Sequence, residues 1–215
     1  MKRLPIGISD FKKLREENFI YVDKTEYIYK LVKEGGGYYF LSRPRRFGKS
    51  LLISTIRYLF EGQRDLFKDL YIYNKWNWEE VYPVLRISFA KDIKNKEDLK
   101  DKIYQELEKN YLKYSLEIPT KIKDNTDLFE KLIIKLSETK HKKVVILVDE
   151  YDKPILDVIE DKKEAEVVRK ELKAFYSVLK DLDEYIGFVL ITGVSKFSKV
   201  SLFSGLNQLE DISLS

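Results

Sequence analysis

The chain has 215 residues and carries Lys+Arg 40 against Asp+Glu 36, a formal charge of only +4 at pH 7. That surplus is too small to argue by itself for a nucleic-acid partner, and the length suits one sizeable α/β domain rather than two full ones. The absence of cysteine excludes a disulfide framework and a thiolate metal site, and His141, the single histidine, excludes histidine pairs. The N-terminus lacks an apolar run long enough for a signal peptide, and no stretch approaches the roughly 20 apolar residues of a membrane span. A soluble cytoplasmic protein is the expectation.

Along the chain, Ser9 is placed to cap a short amphipathic turn at Asp10-Phe11-Lys12-Lys13-Leu14-Arg15. Phe19-Ile20-Tyr21-Val22 reads as a short strand. Residues 25–34 follow as a helix with Tyr27, Ile28, Leu31 and Val32 at helical spacing, stopped by Gly35-Gly36-Gly37. Tyr38-Tyr39-Phe40-Leu41 is a compact strand, and residues 49–60 read as a helix. Val84-Leu85-Arg86-Ile87-Ser88-Phe89 is a second strand, followed by helices over about 96–114 and 126–139. Val144-Val145-Ile146-Leu147-Val148 is apolar on both faces, as a central parallel strand must be. A helix over about 165–180 leads to another buried strand, Ile186-Gly187-Phe188-Val189-Leu190-Ile191-Thr192. Strands alternating with helices predict a mainly parallel sheet covered by helices on both faces.

Between the strand at 38–41 and the helix at 49–60 lies Arg43-Pro44-Arg45-Arg46-Phe47-Gly48-Lys49-Ser50. Gly48-Lys49-Ser50 fits the end of a phosphate-binding loop, although Arg43 stands where the usual pattern has its first glycine. The chemistry is that of a helix N-terminus: backbone N–H groups face an anion, aided by the positive end of the helix dipole. Lys49 would sit on the β- and γ-phosphates, the Ser50 hydroxyl would ligate Mg²⁺, and Gly48 would let the backbone come close. Leu51 completes the loop-to-helix junction. The competing reading is a basic turn that happens to precede a helix. Arg45 and Arg46 either touch phosphates or point into solvent, and Phe47 is the one aromatic placed for contact with a ligand. Trp76 and Trp78 read as core and loop packing, and His141 as a surface residue.

A phosphate loop calls for an acidic residue at the tip of a nearby apolar strand, and Asp149-Glu150 follows 144–148. Asp149 would hold Mg²⁺ and Glu150 would act as general base on the attacking water. The plain alternative is a polar strand end or helix cap. Asp152 and Asp157 read as surface charge or caps, Asp152 being the better functional candidate. Thr192, ending the strand at 186–192, is placed to hold the water or sense the γ-phosphate, unless it only satisfies local backbone. Ser195, Lys196 and Lys199 are further candidate contacts.

Four blocks occur in order: Tyr21-Val22-Asp23-Lys24-Thr25, Arg43 to Leu52, Asp149-Glu150-Tyr151-Asp152-Lys153-Pro154 and Thr192-Gly193-Val194-Ser195-Lys196-Phe197. Together they resemble the prokaryotic AAA-ATPase-like family over nearly the whole chain. The resemblance implies a P-loop NTPase of ASCE type, in which another strand separates the base-bearing strand from the phosphate-loop strand. It also implies that arginine at position 43 is a family feature, and that Asp23 and its neighbours lie near the nucleotide base. Against that last placement stands a simple helix start, capped by Asp23 or Thr25. Proteins of this family usually carry a C-terminal PD-(D/E)XK nuclease-like domain.

A single domain over 1–215, with an N-terminal extension of about 1–36, is expected. A C-terminal lid and the nuclease-like part are missing, so the chain is expected to be truncated or to find them on another chain. Three functions follow: an ATPase with ATP and Mg²⁺ as cofactors; a slow-turnover, ATP-dependent switch; and nucleic-acid binding beside a regulated nuclease. A homo-oligomer is a candidate partner arrangement, with Arg169 as an exposed arginine that could act in trans. For nucleic acid, Lys142-Lys143 and Lys162-Lys163 are weak support, since charge runs are usually solvated faces. No guanine-specific Asn-Lys-x-Asp run occurs, which favours ATP over GTP.

Overall fold

The computed structural model describes residues 3–33, 36–196 and 202–213. Five strands, β1 (Gly37–Ser42), β2 (Val84–Ser88), β3 (Val144–Asp149), β4 (Ile186–Gly193) and β5 (Leu209–Asp211), form one sheet. Their order is β2-β3-β4-β1-β5, and every neighbouring pair runs parallel. β4 therefore separates β3, which ends in Asp149, from β1, which feeds the phosphate loop. This is the strand order expected of an ASCE-type P-loop fold.

The period-two geometry of strands divides the side chains between two cores. Tyr38, Phe40, Leu85, Ile87, Ile146 and Val189 join α4 (Lys96–Lys113), α5 (Asn125–Lys140), the short α6 (Lys153–Asp157) and α7 (Lys162–Asp181) on one face. Leu41, Val84, Val145, Leu147, Phe188 and Leu190 join α1 (Phe11–Glu16), α2 (Thr25–Val32) and α3 (Lys49–Phe60) on the other. All six residues of β3 are buried, as its unbroken apolar run predicts.

The free edge of β2 is closed by a helix. The outward N–H groups of Val84, Arg86 and Ser88 donate to Tyr114 Oη (2.6 Å), Asn110 Oδ1 (3.3 Å) and Glu106 Oε2 (3.0 Å). Acceptors four residues apart on a helix advance about 6 Å, and donors two residues apart on a strand advance about 6.6 Å, so the two ladders keep step. α4 thus does for this edge what a further strand would do.

Several boundaries differ from expectation. Asp10, not Ser9, caps α1, because its Oδ1 accepts from the Lys13 N–H at 2.8 Å. Residues 19–22 form no strand: Phe19 makes a single bridge to Arg3 and finds no sheet neighbour, while Tyr21 packs edge-on against Phe11. α2 ends at Val32; Glu34 and Gly35 lie outside the described residues, while of the predicted stop Gly36 takes φ 134° and Gly37 opens β1. α6 and β5 had no counterpart in the sequence reading. Trp76 and Trp78 pack on Phe60 and Phe67, as expected of loop and core residues, and His141 is exposed. Among the described residues no helix is long and apolar enough to cross a membrane.

Candidate functional site

β1 hands the chain to the loop at Ser42. The Arg43 N–H donates to Gly193 O (3.1 Å) and Ser42 Oγ donates to Val194 O (3.0 Å), so the loop starts beside the end of β4. Arg43 is half-buried, whereas Pro44, Arg45, Arg46, Phe47 and Gly48 are exposed. Arg46 and Gly48 take φ of 68° and 75°. At Gly48, the N-cap of α3, that left-handed conformation favours glycine, and no side chain caps the helix. A Cβ at Gly48 would meet nothing within 4 Å, which leaves the first N–H groups of α3 an open approach.

Lys49 is buried, and its Nζ donates to Arg43 O (2.8 Å) and Pro44 O (2.9 Å). Burial holds its pKa below the usual lysine value, against the opposing pull of Asp149, Glu150 and Asp152. Loop lysine and strand-end carboxylates therefore share one electrostatic environment, although 100 residues separate Lys49 from Asp149 in sequence. Ser50 and Leu51 are half-buried in the first turn of α3, where Leu51 O accepts from Thr55 Oγ1 at 2.8 Å.

Asp149 is 2% exposed, and its two oxygens face different partners. Oδ1 accepts from Thr192 Oγ1 at 2.9 Å, while Oδ2 lies 3.8 Å from Arg86 Nη2. Glu150 is half-buried with φ 59°, a conformation uncommon outside glycine. No hydrogen bond or ion pair among the described residues reaches its carboxylate. Burial, followed by the neighbouring Asp149 charge, raises its pKa above the usual glutamate value. Thr192 is fully buried, and the bond to Asp149 accounts for its hydroxyl.

Two residues carry more of this site than their sequence context suggests. Asp152 is neither surface charge nor a side-chain cap: it is fully buried, and its oxygens accept from the N–H groups of Val194 (3.0 Å) and Ser195 (2.7 Å). With Tyr151 Oη donating to Ser195 O (2.8 Å), it fixes the turn that follows Thr192. A Cβ at Gly193 would collide with the Tyr151 ring and lie 2.7 Å from Asp152 Oδ1, so glycine there lets both side chains pack against the strand end. Arg86, in the middle of β2, is the other. Its charge inside an otherwise apolar strand was the available sign. Asp157, by contrast, pairs with Lys153 at 2.7 Å.

Asp23 lies just before α2. Its Oδ1 accepts from the Thr25 N–H (2.8 Å) and Thr25 Oγ1 (2.7 Å), and its Oδ2 from the Tyr71 N–H (2.7 Å). Burial opposes its ionisation, but these hydrogen bonds outweigh it and hold the pKa below the usual aspartate value. The geometry is that of a helix-start clasp between α2 and the segment after α3. Of the remaining candidates, Lys196 pairs with Asp211 at 3.0 Å, and Phe197 and Lys199 lie outside the described residues. Lys143, Lys162 and Lys163 are exposed, while Lys142 is half-buried with its ammonium over the Tyr82 ring.

Among the described residues no three or more His, Asp or Glu converge as a metal cage. The donors present, a hydroxyl and a carboxylate beside a helix N-terminus, suit a hard cation that takes its other ligands from phosphate and water.

The family model described as "Predicted AAA-ATPase" matches residues 5–203. A curated relative from Azotobacter chroococcum mcd 1, named "Uncharacterized protein in vnfD 5'region", is 47% identical over 215 residues; the match covers 99% of this chain and 41% of that protein. This chain thus spans less than half the length of that relative. Among solved structures, Cdc6p from Pyrobaculum aerophilum aligns at 11% identity and a TM-score of 0.41, over 86% of this chain and 43% of that one. On the match over residues 5–203, the chain belongs to the AAA-ATPase-like family, whose description as predicted ATPases carries nucleotide binding as its general function.

Proposed function

We propose that the chain binds ATP with Mg²⁺ at the C-terminal ends of β1, β3 and β4 and hydrolyses it. The observation that carries this reading is geometric: the loop before Lys49 is tied to Gly193 O and Val194 O at the end of β4, and Thr192 of the same strand end bonds Asp149 (2.9 Å), beside the uncapped N-terminus of α3. Lys49 would hold the β- and γ-phosphates, with the backbone of residues 43–51 around them, and Ser50 and Asp149 would hold the cation. Mg²⁺, when bound, supplies charge neutralisation at the phosphate oxygens. Thr192 fixes the orientation of Asp149 through its hydroxyl. Glu150, whose carboxylate has no hydrogen-bond partner among the described residues and whose pKa is raised, is suited to take a proton from the attacking water. Arg45, Arg46 and Phe47, exposed on the loop, are available to the ligand's outer face.

A second reading is a slow-turnover switch that uses nucleotide occupancy to regulate a nuclease or nucleic-acid-binding partner. It is favoured by the position of Arg169, which lines a surface cleft with Lys162 and Lys173 on α7 rather than the phosphate loop. Arginine fingers supplied by another protomer or protein raise turnover by about 10³–10⁵. Calorimetric titration with ATP, with and without Mg²⁺, tests the site itself. Wild type should bind and Lys49→Ala should not, and equal binding by both would sink the assignment. Phosphate release at background despite tight binding would select the switch.

A further inference from the structure

A second charged concavity lies at the far edge of the sheet, between α3, β2 and α4. Its volume is about 380 Å³, and five cationic side chains, Arg57, Arg86, Lys102, Lys109 and Lys113, line it against the one carboxylate Glu106. The counter-charges within reach are shared. Glu106 faces both Lys102 (2.8 Å) and Lys109 (2.7 Å), Glu61 faces both Arg57 (3.0 Å) and Lys113 (2.6 Å), and Asp149 stands 3.8 Å from Arg86. Five cations thus meet three carboxylates. Lys102 is a buried lysine, its side chain 9% exposed, and so is not the end of a solvated charge run. Among the described residues the Arg86 guanidinium donates no hydrogen bond, and its Nε is buried without an acceptor. A guanidinium offers five donors in a fixed fork suited to phosphate or carboxylate, and a buried donor left without an acceptor is costly.

We propose that this cleft is a second anion site, which takes a phosphate-bearing ligand of about the size of one nucleotide unit. Its volume falls in the range of ligand pockets, about 300–1,000 Å³. It lies away from the loop that follows β1, since β2 and β1 stand three strand spacings apart in the sheet, about 14 Å, and it adjoins the proposed nucleotide site only through Arg86 beside Asp149. Phosphate is preferred over a carboxylate ligand because its higher charge and additional oxygens engage more of the converging cations at once.

The test is calorimetric titration of the full chain with inorganic pyrophosphate in EDTA, in wild type, Lys49→Ala, Lys49→Ala/Lys109→Ala and Lys49→Ala/Arg57→Gln. Lys49→Ala should retain one pyrophosphate site. That site should weaken roughly fivefold with either cleft substitution and fade as salt is raised. Lys109 is largely exposed, so its removal should leave the thermal midpoint nearly unchanged; this keeps the test valid even if Arg57→Gln weakens the fold. Pyrophosphate binding abolished by Lys49→Ala alone, or residual binding indifferent to both cleft substitutions, would overturn the proposal. A short single-stranded oligodeoxynucleotide that displaces pyrophosphate from Lys49→Ala would identify the source as a nucleic-acid backbone. Pyrophosphate binding without such displacement would identify a free phosphate compound.

Discussion

Asp149 and Asp23 each accept a threonine hydroxyl, at 2.9 Å from Thr192 and 2.7 Å from Thr25, yet they stand in opposite situations. Asp23 has both oxygens engaged, with the N–H groups of Thr25 and Tyr71 completing the set. Asp149 is the more buried, but among the described residues Oδ2 meets only a guanidinium at 3.8 Å, beyond hydrogen-bond range. A carboxylate whose lone pairs are taken by backbone donors holds the fold together. One held by a single hydroxyl, with its other oxygen not hydrogen-bonded among the described residues, fits the ligand role proposed for Asp149. Asp152 belongs with Asp23: three residues from Asp149, it is fully committed to Val194 and Ser195.

The largest effect that tests this division is at Glu150, the carboxylate with no hydrogen-bond partner among the described residues. Glu150→Gln should lower the rate of phosphate release by about 10²–10⁴, and an unchanged rate would remove it as the base. Because the proposed base must be ionised and its pKa is raised, the wild-type rate should fall with decreasing pH already above the usual glutamate range. The same shift disfavours the charged form in the folded state. Its cost appears as pH rises past the unfolded pKa, so Glu150→Gln should not destabilise the fold at neutral pH.

Asp152→Ala should act on stability instead, since it strands two N–H groups at a half-buried turn. A loss of about 3 kcal/mol in denaturant unfolding is expected. A loss below about 1 kcal/mol would mean that the turn after Thr192 holds itself. Asp23→Ala should cost less, about 1–2 kcal/mol, because Asp23 lies nearer the surface. ATP affinity measured alongside should stay at the wild-type value. A clear drop in affinity, with stability intact, would restore Asp23 to the neighbourhood of the nucleotide base.

The smallest effect concerns Glu106. Burial raises its pKa, but Lys102, Lys109 and the Ser88 N–H outweigh that and depress it. Its contribution to stability is therefore complete above the unfolded glutamate pKa, about 4.3, and is lost as pH falls through the lower folded value. Glu106→Gln should flatten the acid limb of stability between those two values. An unaltered limb would show that the α4 ladder along β2 does not depend on the charge.

Much of the site was legible in the chain because its parts are local. Gly48-Lys49-Ser50 lies between an apolar strand and an apolar helix, and Asp149-Glu150 ends a run that is apolar on both faces. α3 and β3 accordingly lie within a residue of where periodicity puts them. Residues 19–22 show the limit, because a β-prone run becomes a strand only if a neighbour is free to pair with it, and among the described residues only Arg3 meets it. β5 shows the reverse: Leu209-Glu210-Asp211 has no apolar run, and pairing with β1 makes it a strand.

The sequence by itself determined the alternation of strands and helices, the loop that leads into α3 and the acidic strand tip, since each is written in spacing along a single element. Only the tertiary structure decided that β4 lies between β3 and β1, that Asp152 is a buried anchor and Asp23 a clasp, and that Arg86 faces both Asp149 and a basic cleft. Those outcomes depend on which donors arrive from elements far away in the chain. A carboxylate's role is set by those partners, and residue spacing within its own segment does not record them.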